Sequence, residues 1–314
     1  MSHRDPSSHI RKIDSVIRTA GVVAVALILL AVGLLFSRKG DSTPTAKPPQ
    51  GGEVHFYFLD VGQGDAALIR TSDGDILIDS GTNASEDHLA AYLELLGVQE
   101  LAFAVFTHPD EDHIGGADRM VQQFHPRQVV MPNLTADSPD LDNLNAAIHT
   151  TSCELIPAAP GTTLQIGGLV CTILAPLPES CGQAGCDRSL CGHINDHSIV
   201  LRADYGETSV LFVGDAESTA EDALLRRYGS AAGGLLDCDI LKLGHHGSAT
   251  SSKESFLRAV SPSFGIVSCG YGNAYGHPDH AVLARCERLQ ISIYRTDLDG
   301  SIRFVSTGKE PSRE

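Results

Sequence analysis

Two imidazoles and three carboxylates fall within the six residues His108-Pro109-Asp110-Glu111-Asp112-His113. The apolar run Leu101 to Phe106 precedes them and reads as a buried strand. Gly115 and Gly116 follow and lead into a polar, helix-like segment. Charge this dense at a strand end is unfavourable unless something binds it, because like carboxylates repel and burial disfavours ions. A divalent cation, or a pair of them, removes that conflict. Imidazole with carboxylate is a ligand mix used for Zn²⁺, and it also suits Mn²⁺ or Fe²⁺. His108 and Asp110 are two apart, so extended backbone points them the same way. Asp112 and His113 are adjacent, and a turn would aim them at a second ion. Glu111 should point away from its neighbours. The competing reading is a solvated acidic loop whose histidines cap the next helix; ligand mix and spacing favour the metal.

The elements that must position these groups can be read from the same pattern. Val54 to Asp60, Ala66 to Arg70 and Ile76 to Ile78 read as strands, the last ending in Asp79-Ser80-Gly81. Glu86 to Leu96 has leucines at helical spacing and Gly97 as a stop. Further strands are expected at Val129 to Met131, Leu169 to Leu174, Ser198 to Ala203, Ser209 to Val213, Ile240 to Leu243, Phe264 to Cys269, Ile291 to Tyr294 and Ile302 to Val305. Helices are expected at Pro139 to Ile148, Glu217 to Tyr228, Ser252 to Val260 and Ala281 to Leu289. Antiparallel-looking strands come first and strands alternating with helices follow, which fits an α/β sandwich with helices outside two sheets. The metal-type residues fall just past strand ends: His108, Asp110, Asp112, His113, Asp215 and His246, with Asp79, Asn195 and His197 at comparable boundaries. One edge of a sheet collects such tips, so residues distant in sequence meet there.

The chain has 314 residues and a formal net charge of −16. That excludes coating of nucleic acid through a basic surface, though not a phosphate substrate held locally. Residues 1–18 are polar and basic and read as a cytoplasmic tail. Thr19 to Phe36 is uncharged and apolar on all sides, near the minimum length that spans a bilayer, and reads as an uncleaved anchor. The excess of Lys and Arg ahead of it places the bulk of the chain outside the cytoplasm, in a single-pass arrangement. Residues 37–52 read as a disordered linker, 53–307 as the catalytic body and 308–314 as a tail. Of the eight cysteines, Cys181, Cys186 and Cys191 cluster in a Gly-rich stretch. That stretch reads as a disulfide-stapled insertion rather than a zinc knuckle with His193. Cys171 and Cys269 lie in apolar runs and should be buried.

The run His-x-Asp-x-Asp-His-x-Gly-Gly at His108 to Gly116 resembles the signature of the metallo-β-lactamase superfamily, with Asp110 where most members place a histidine. Four further stretches go with it: Gly62-Gln63-Gly64-Asp65, Gly214-Asp215, His245-His246-Gly247-Ser248 and Asn273-Ala274-Tyr275-Gly276-His277-Pro278. Together they make the chain similar to the carboxy-terminal domain of the ComEC competence family, over about Val54 to Val305. The resemblance implies an αββα sandwich with a dinuclear site, holding two divalent ions, Zn or Mn, at one sheet edge. His108 and Asp110 would serve the first metal, Asp112 and His113 the second, and Asp215 would bridge them. His246 would complete the second site, with His245 as its alternative. Asn195 or His197 falls at the superfamily's third-motif position. His277 would contact substrate phosphate or support the site. Asp65, Asp79 and Ser248 are expected to orient ligands rather than bind metal.

The activity implied is metal-assisted hydrolysis, with Asp112 and His277 as catalytic groups and a phosphodiester or nucleotide as substrate. The chain has one apolar segment where full-length family members have many membrane spans, so their transport role is not expected here. A β-lactam or other ester or amide hydrolase is the enzymatic alternative, against which Asp110 argues. A non-catalytic, membrane-tethered binding protein is the other. No obligate protein partner can be inferred.

Overall fold

Residues 49–134, 136–178, 194–229 and 234–314 are described by a computed structural model. The expected tail, anchor and most of the linker, and the segment with Cys181, Cys186, Cys191 and His193, lie outside the described residues. Among the described residues no helix is long and apolar enough to cross a membrane. All of them lie in one unit, Thr45–Glu314.

Strand β1 (Val54–Phe58) is buried along its whole length, and alternation decides what each side chain meets. Val54, Phe56 and Phe58 face a core shared with the opposite sheet, while Tyr57 faces helices. Strands β2 (Ala67–Arg70), β3 (Asp75–Ile78), β4 (Phe103–Val105), β5 (Gln128–Met131) and β6 (Glu154–Pro157) extend its sheet on one side. Strands β14 (Ile302–Ser306) and β15 (Ser312–Arg313) extend it on the other, so the segment expected to be a tail adds an edge strand. The second sheet has the order β13-β12-β11-β10-β9-β8-β7. Its strands are β7 (Thr163–Ile166), β8 (Leu169–Ala175), β9 (Val200–Tyr205), β10 (Thr208–Phe212), β11 (Ile240–Lys242), β12 (Phe264–Val267) and β13 (Ser292–Arg295).

Helix α1 (Glu86–Leu96) has the expected bounds, because Gly97 takes the left-handed conformation that closes it. It packs on the first sheet with α3 (Ala117–Phe124) and α4 (Pro139–Thr151). Between α1 and α3 lies a single turn, α2 (Glu111–Ile114). Helices α5 (Ser218–Tyr228), α6 (Glu254–Val260) and α7 (His280–Arg288) cover the second sheet; the short turn α8 (Thr296–Asp299) follows β13. The layers are therefore α, β, β, α, as the strand-then-helix pattern implies. Each half of the sheet pair is parallel where helices intervene: β3 to β6, and β10 to β13. Parallel strands point their carboxyl ends the same way, and that common edge carries the chemistry.

The short strands β6 and β7 lie outside the sequence-based expectation. β6 is an edge strand, largely exposed and ending in Pro157, so it shows no apolar alternation. β7 does alternate, but over only four residues.

Candidate metal centre

Four strand tips build the site. Thr107 and His108 follow β4, and α2 then turns Asp112 and His113 back toward the same edge. Asp79 follows β3, Asp215 follows β10, and His245 and His246 sit in the one-turn segment Gly244–Gly247 after β11. Asp79, His245 and His246 all have positive φ, at 56°, 46° and 52°. Side chains other than glycine rarely adopt that region, and strain of this kind clusters where function over-determines the backbone. A close approach fixes the Gly62–Asp65 turn: a Cβ on Gly64 would collide with the Asp112 carbonyl oxygen, which accepts the Asp65 amide at 3.0 Å.

Asp215 is the hub. Its Oδ1 lies 3.2 Å from His113 Nε2. Its Oδ2 lies 3.9 Å from His108 Nε2, 3.7 Å from His245 Nε2 and 3.6 Å from His246 Nε2. Asp110 Oδ2 is 3.6 Å from His108 Nε2, and Asp112 Oδ2 is 3.1 Å from His246 Nε2. His108, His113, Asp215 and His246 are at most 3% exposed. The Nε2 atoms of His108, His113 and His246 and Oδ1 of Asp215 are buried without a hydrogen-bond partner among the described residues. Orphaned buried polar atoms are unfavourable by about 1–3 kcal/mol each, so four converging on one point fit a cation. Among the described residues, Asp65, His113, Asp215 and His246 offer ligand atoms all within 4.8 Å of one another. Asp65, however, is engaged from behind: Lys242 Nζ lies 2.8 Å from its Oδ2 and His246 Nδ1 3.2 Å from its Oδ1.

The other ring nitrogens are braced. His113 Nδ1 meets Asp79 Oδ2 at 2.9 Å, and His246 Nδ1 lies 3.0 Å from the Ser268 carbonyl. His108 Nδ1 lies 3.1 Å from Thr107 Oγ1 and 3.3 Å from Ser198 Oγ. His245 Nδ1 meets Glu217 Oε1 at 2.9 Å. Bracing one nitrogen fixes the tautomer and leaves Nε2 free to ligate. Burial alone would lower His113 and His246. The Asp215 and Asp79 carboxylates instead hold His113 well above its usual range, and Asp215 and Asp65 raise His246 to about 10. Burial would raise Asp215, but His246, His113 and His108 outweigh it and hold its carboxyl well below the usual range. Protons thus balance the carboxylates of the bare cluster, in the place where cations would.

The sequence profile of the Metallo-beta-lactamase superfamily matches residues 59–167 and 187–271. The chain belongs to that superfamily. Its curated relatives include ComE operon protein 3 of Bacillus subtilis, 26% identical over 94% of this chain and 36% of the relative. Competence protein ComA of Neisseria gonorrhoeae is 32% identical over 88% of this chain and 35% of the relative. The chain thus spans about a third of the length of these relatives. Among solved structures, the metallo-beta-lactamase fold protein YhfI of Bacillus subtilis superposes with a TM-score of 0.51 at 13% identity, covering 81% of this chain and 99% of that one. As a superfamily member with these ligand types converging, the chain is of the metal-dependent hydrolase kind.

Other expected residues take varied places around this metallo-β-lactamase-type edge. Glu111 turns away and accepts the Asn83 amide at 2.9 Å. Asn195 lies in the turn Ile194–His197 and donates to Glu217 at 3.4 Å; His197 is buried in the same turn. From that segment it is Ser198 that bridges the cluster, bonding His108 and accepting the Asp215 amide at 3.1 Å. The Ser248 hydroxyl meets Thr250 Oγ1 at 2.9 Å, which in turn lies 3.3 Å from His245 Nδ1, and the Ser248 amide donates to the His245 carbonyl at 2.8 Å. His245 and His246 approach Asp215 together rather than as alternatives. His277 packs beside both, its ring centroid 5.5 Å from His245 and 6.3 Å from His246. Thr107, Ser198, Glu217 and Lys242 had no sequence signal beyond adjacency to a motif, because ordinary hydroxyls and charges acquire these tasks only through their neighbours.

Proposed function

We propose that this chain is a membrane-tethered, metal-dependent phosphodiesterase whose body works outside the cytoplasm. The observation that carries the reading is the convergence of orphaned His108, His113 and His246 Nε2 atoms on Asp215. His108, Asp110, Asp215 and His245 would hold one divalent ion, Zn or Mn. Asp112, His113, His246 and the same Asp215 would hold the other. When bound, such ions supply Lewis acidity and lower the pKa of water at neutral pH. The residues do the rest. Asp215 fixes the separation of the two positions from a buried, hydrogen-bonded place. Asp110 and Asp112 close the solvent side, with side chains 44% and 28% exposed. His277 lies beside His245, where it would contact a phosphate oxygen or the leaving group.

Three considerations favour a phosphodiester. Two relatives are named for competence or its operon. Asp110 adds a carboxylate to the ligand set, which suits compensation of divalent charge over binding of a neutral amide. Asp110, its side chain 44% exposed, leaves the cluster reachable from solvent for an ester. The tether rests on the apolar segment Thr19 to Phe36 and the basic residues before it; protease added to intact spheroplasts should then degrade the body.

The test uses the full chain with Mn²⁺ or Zn²⁺, assayed on bis-p-nitrophenyl phosphate and on short single-stranded and long duplex DNA. Asp112→Ala and His113→Ala serve as controls. Cleavage lost in both variants is the expected result. Two ions bound per chain without cleavage would turn the reading to β-lactam, ester or amide hydrolysis. Absence of bound metal would leave a tethered binding protein.

A further inference from the structure

The two most exposed large apolar side chains among the described residues are Tyr271, 85% exposed, and Tyr275, 71% exposed. Both lie in the loop after β12 that ends at His277. Nothing in the folding of the sandwich calls for aromatic rings in water, and a burial preference is forgone at each. Neither hydroxyl bonds a described residue.

Tyr275 is nonetheless placed. Its ring lies 5.7 Å from the His277 ring at an interplanar angle of 21°. His277 in turn lies 6.3 Å from His246 at 27°. Three near-parallel rings thus run from the buried Asp215 cluster to the solvent, and the outer face of the ladder is Tyr275. The loop that carries it is pinned. Asn273 Nδ2 donates to the Gly270 and His277 carbonyls at 3.0 and 2.6 Å, and its Oδ1 accepts the His277 amide at 3.0 Å. The Gly270 amide donates to Gln63 Oε1 at 3.2 Å, tying the loop to the turn that leads to Asp65. A rigid aromatic platform loses little entropy when another ring lands on it.

Resting on the phosphodiesterase reading, we infer that Tyr275 is a substrate-positioning platform on which a nucleobase next to the scissile phosphate stacks. The charge pattern agrees. A body with this acidic balance does not hold a polynucleotide by its backbone, whereas stacking is independent of charge and of base identity. A base must leave its own stack to land there, so the platform selects single strands and short oligonucleotides over duplex.

The experiment compares thymidine 5′-(p-nitrophenyl phosphate) with methyl p-nitrophenyl phosphate, which share a leaving group. The full chain should prefer the nucleoside ester in kcat/KM by about fivefold or more, the lower range for one base–aromatic stack. Tyr275→Ala should bring that ratio toward one through KM, and Tyr275→Phe should retain it. Equal loss on both esters in Tyr275→Ala, or an unchanged ratio, would overturn the platform. Binding of pentathymidylate, followed by ring-current shifts of the thymine protons, reads the stack without turnover. If neither ester is cleaved but Tyr275→Ala abolishes those shifts, the platform stands and the phosphodiesterase reading falls. If wild-type chain gives no shifts, the platform itself falls.

Discussion

His113 Nδ1 lies 2.9 Å from Asp79 Oδ2, and Asp79 also accepts the amide and the hydroxyl of Thr107, each at 2.7 Å. The carboxylate therefore accepts a hydrogen bond from Nδ1–H and leaves Nε2 to face Asp215. Asp79→Asn keeps the size but can turn an N–H toward Nδ1, which favours the other tautomer. The fold should survive, while metal affinity falls about 10- to 100-fold. Competition against a chromogenic chelator measures it; unchanged affinity would show that Asp79 does not set the tautomer.

The bare cluster has a distinctive pH dependence. The imidazole of His246 is raised from 6.5 to about 10 by Asp215 and Asp65 against the effect of burial, and that of His113 is also raised. A folded-state pKa above the unfolded value gives stability that is full below pH 6.5 and is lost as pH rises through the folded value. The chelated chain should accordingly lose melting temperature between about pH 6.5 and 10. Divalent metal displaces the same protons, so its stabilisation should grow with pH over that range. Thermal melts with and without metal decide it, and a metal increment that shrinks with rising pH would contradict the assignment.

Lys242 and Asp65 form a buried pair, 2.8 Å apart and 3% and 6% exposed. Removing the cation takes from the buried carboxylate its nearest counter-charge. Lys242→Met should destabilise the fold by roughly 3–5 kcal/mol, and adding Asp65→Asn should restore much of it. Denaturant melts of the single and double variants test the pairing, which additive losses would refute.

His245 faces Asp215 at 3.7 Å, with its other nitrogen held by Glu217, whereas the third-motif position of the sequence falls to Asn195 or His197. Elemental analysis of His245→Ala should show one divalent ion per chain, and of His197→Ala two. The reverse outcome would move the ligand to the turn Ile194–His197.

Much of this arrangement was legible in the sequence. The run His108 to His113 declares itself because charge this dense at a strand end is unfavourable unless something binds it. Gly97 and the leucine spacing bound α1, and the alternation of β1 set its two faces. The strand tips announced that Asp79, Asp215 and His246 belong to one edge, since parallel strands end on the same side.

What only the tertiary structure decided is which neighbours those tips meet. Tautomers depend on through-space partners: Asp79 for His113, the Ser268 carbonyl for His246, Ser198 and Thr107 for His108. No local pattern encodes contacts between residues as far apart as Ser198 and His108. Likewise the string offers His246 with His245 as its alternative, while space gives them different places, because consecutive left-handed residues send one ring into the core and the other to the rim. Residue type and strand order fixed the chemistry available; the packing of two sheets fixed which nitrogen and which oxygen face one another.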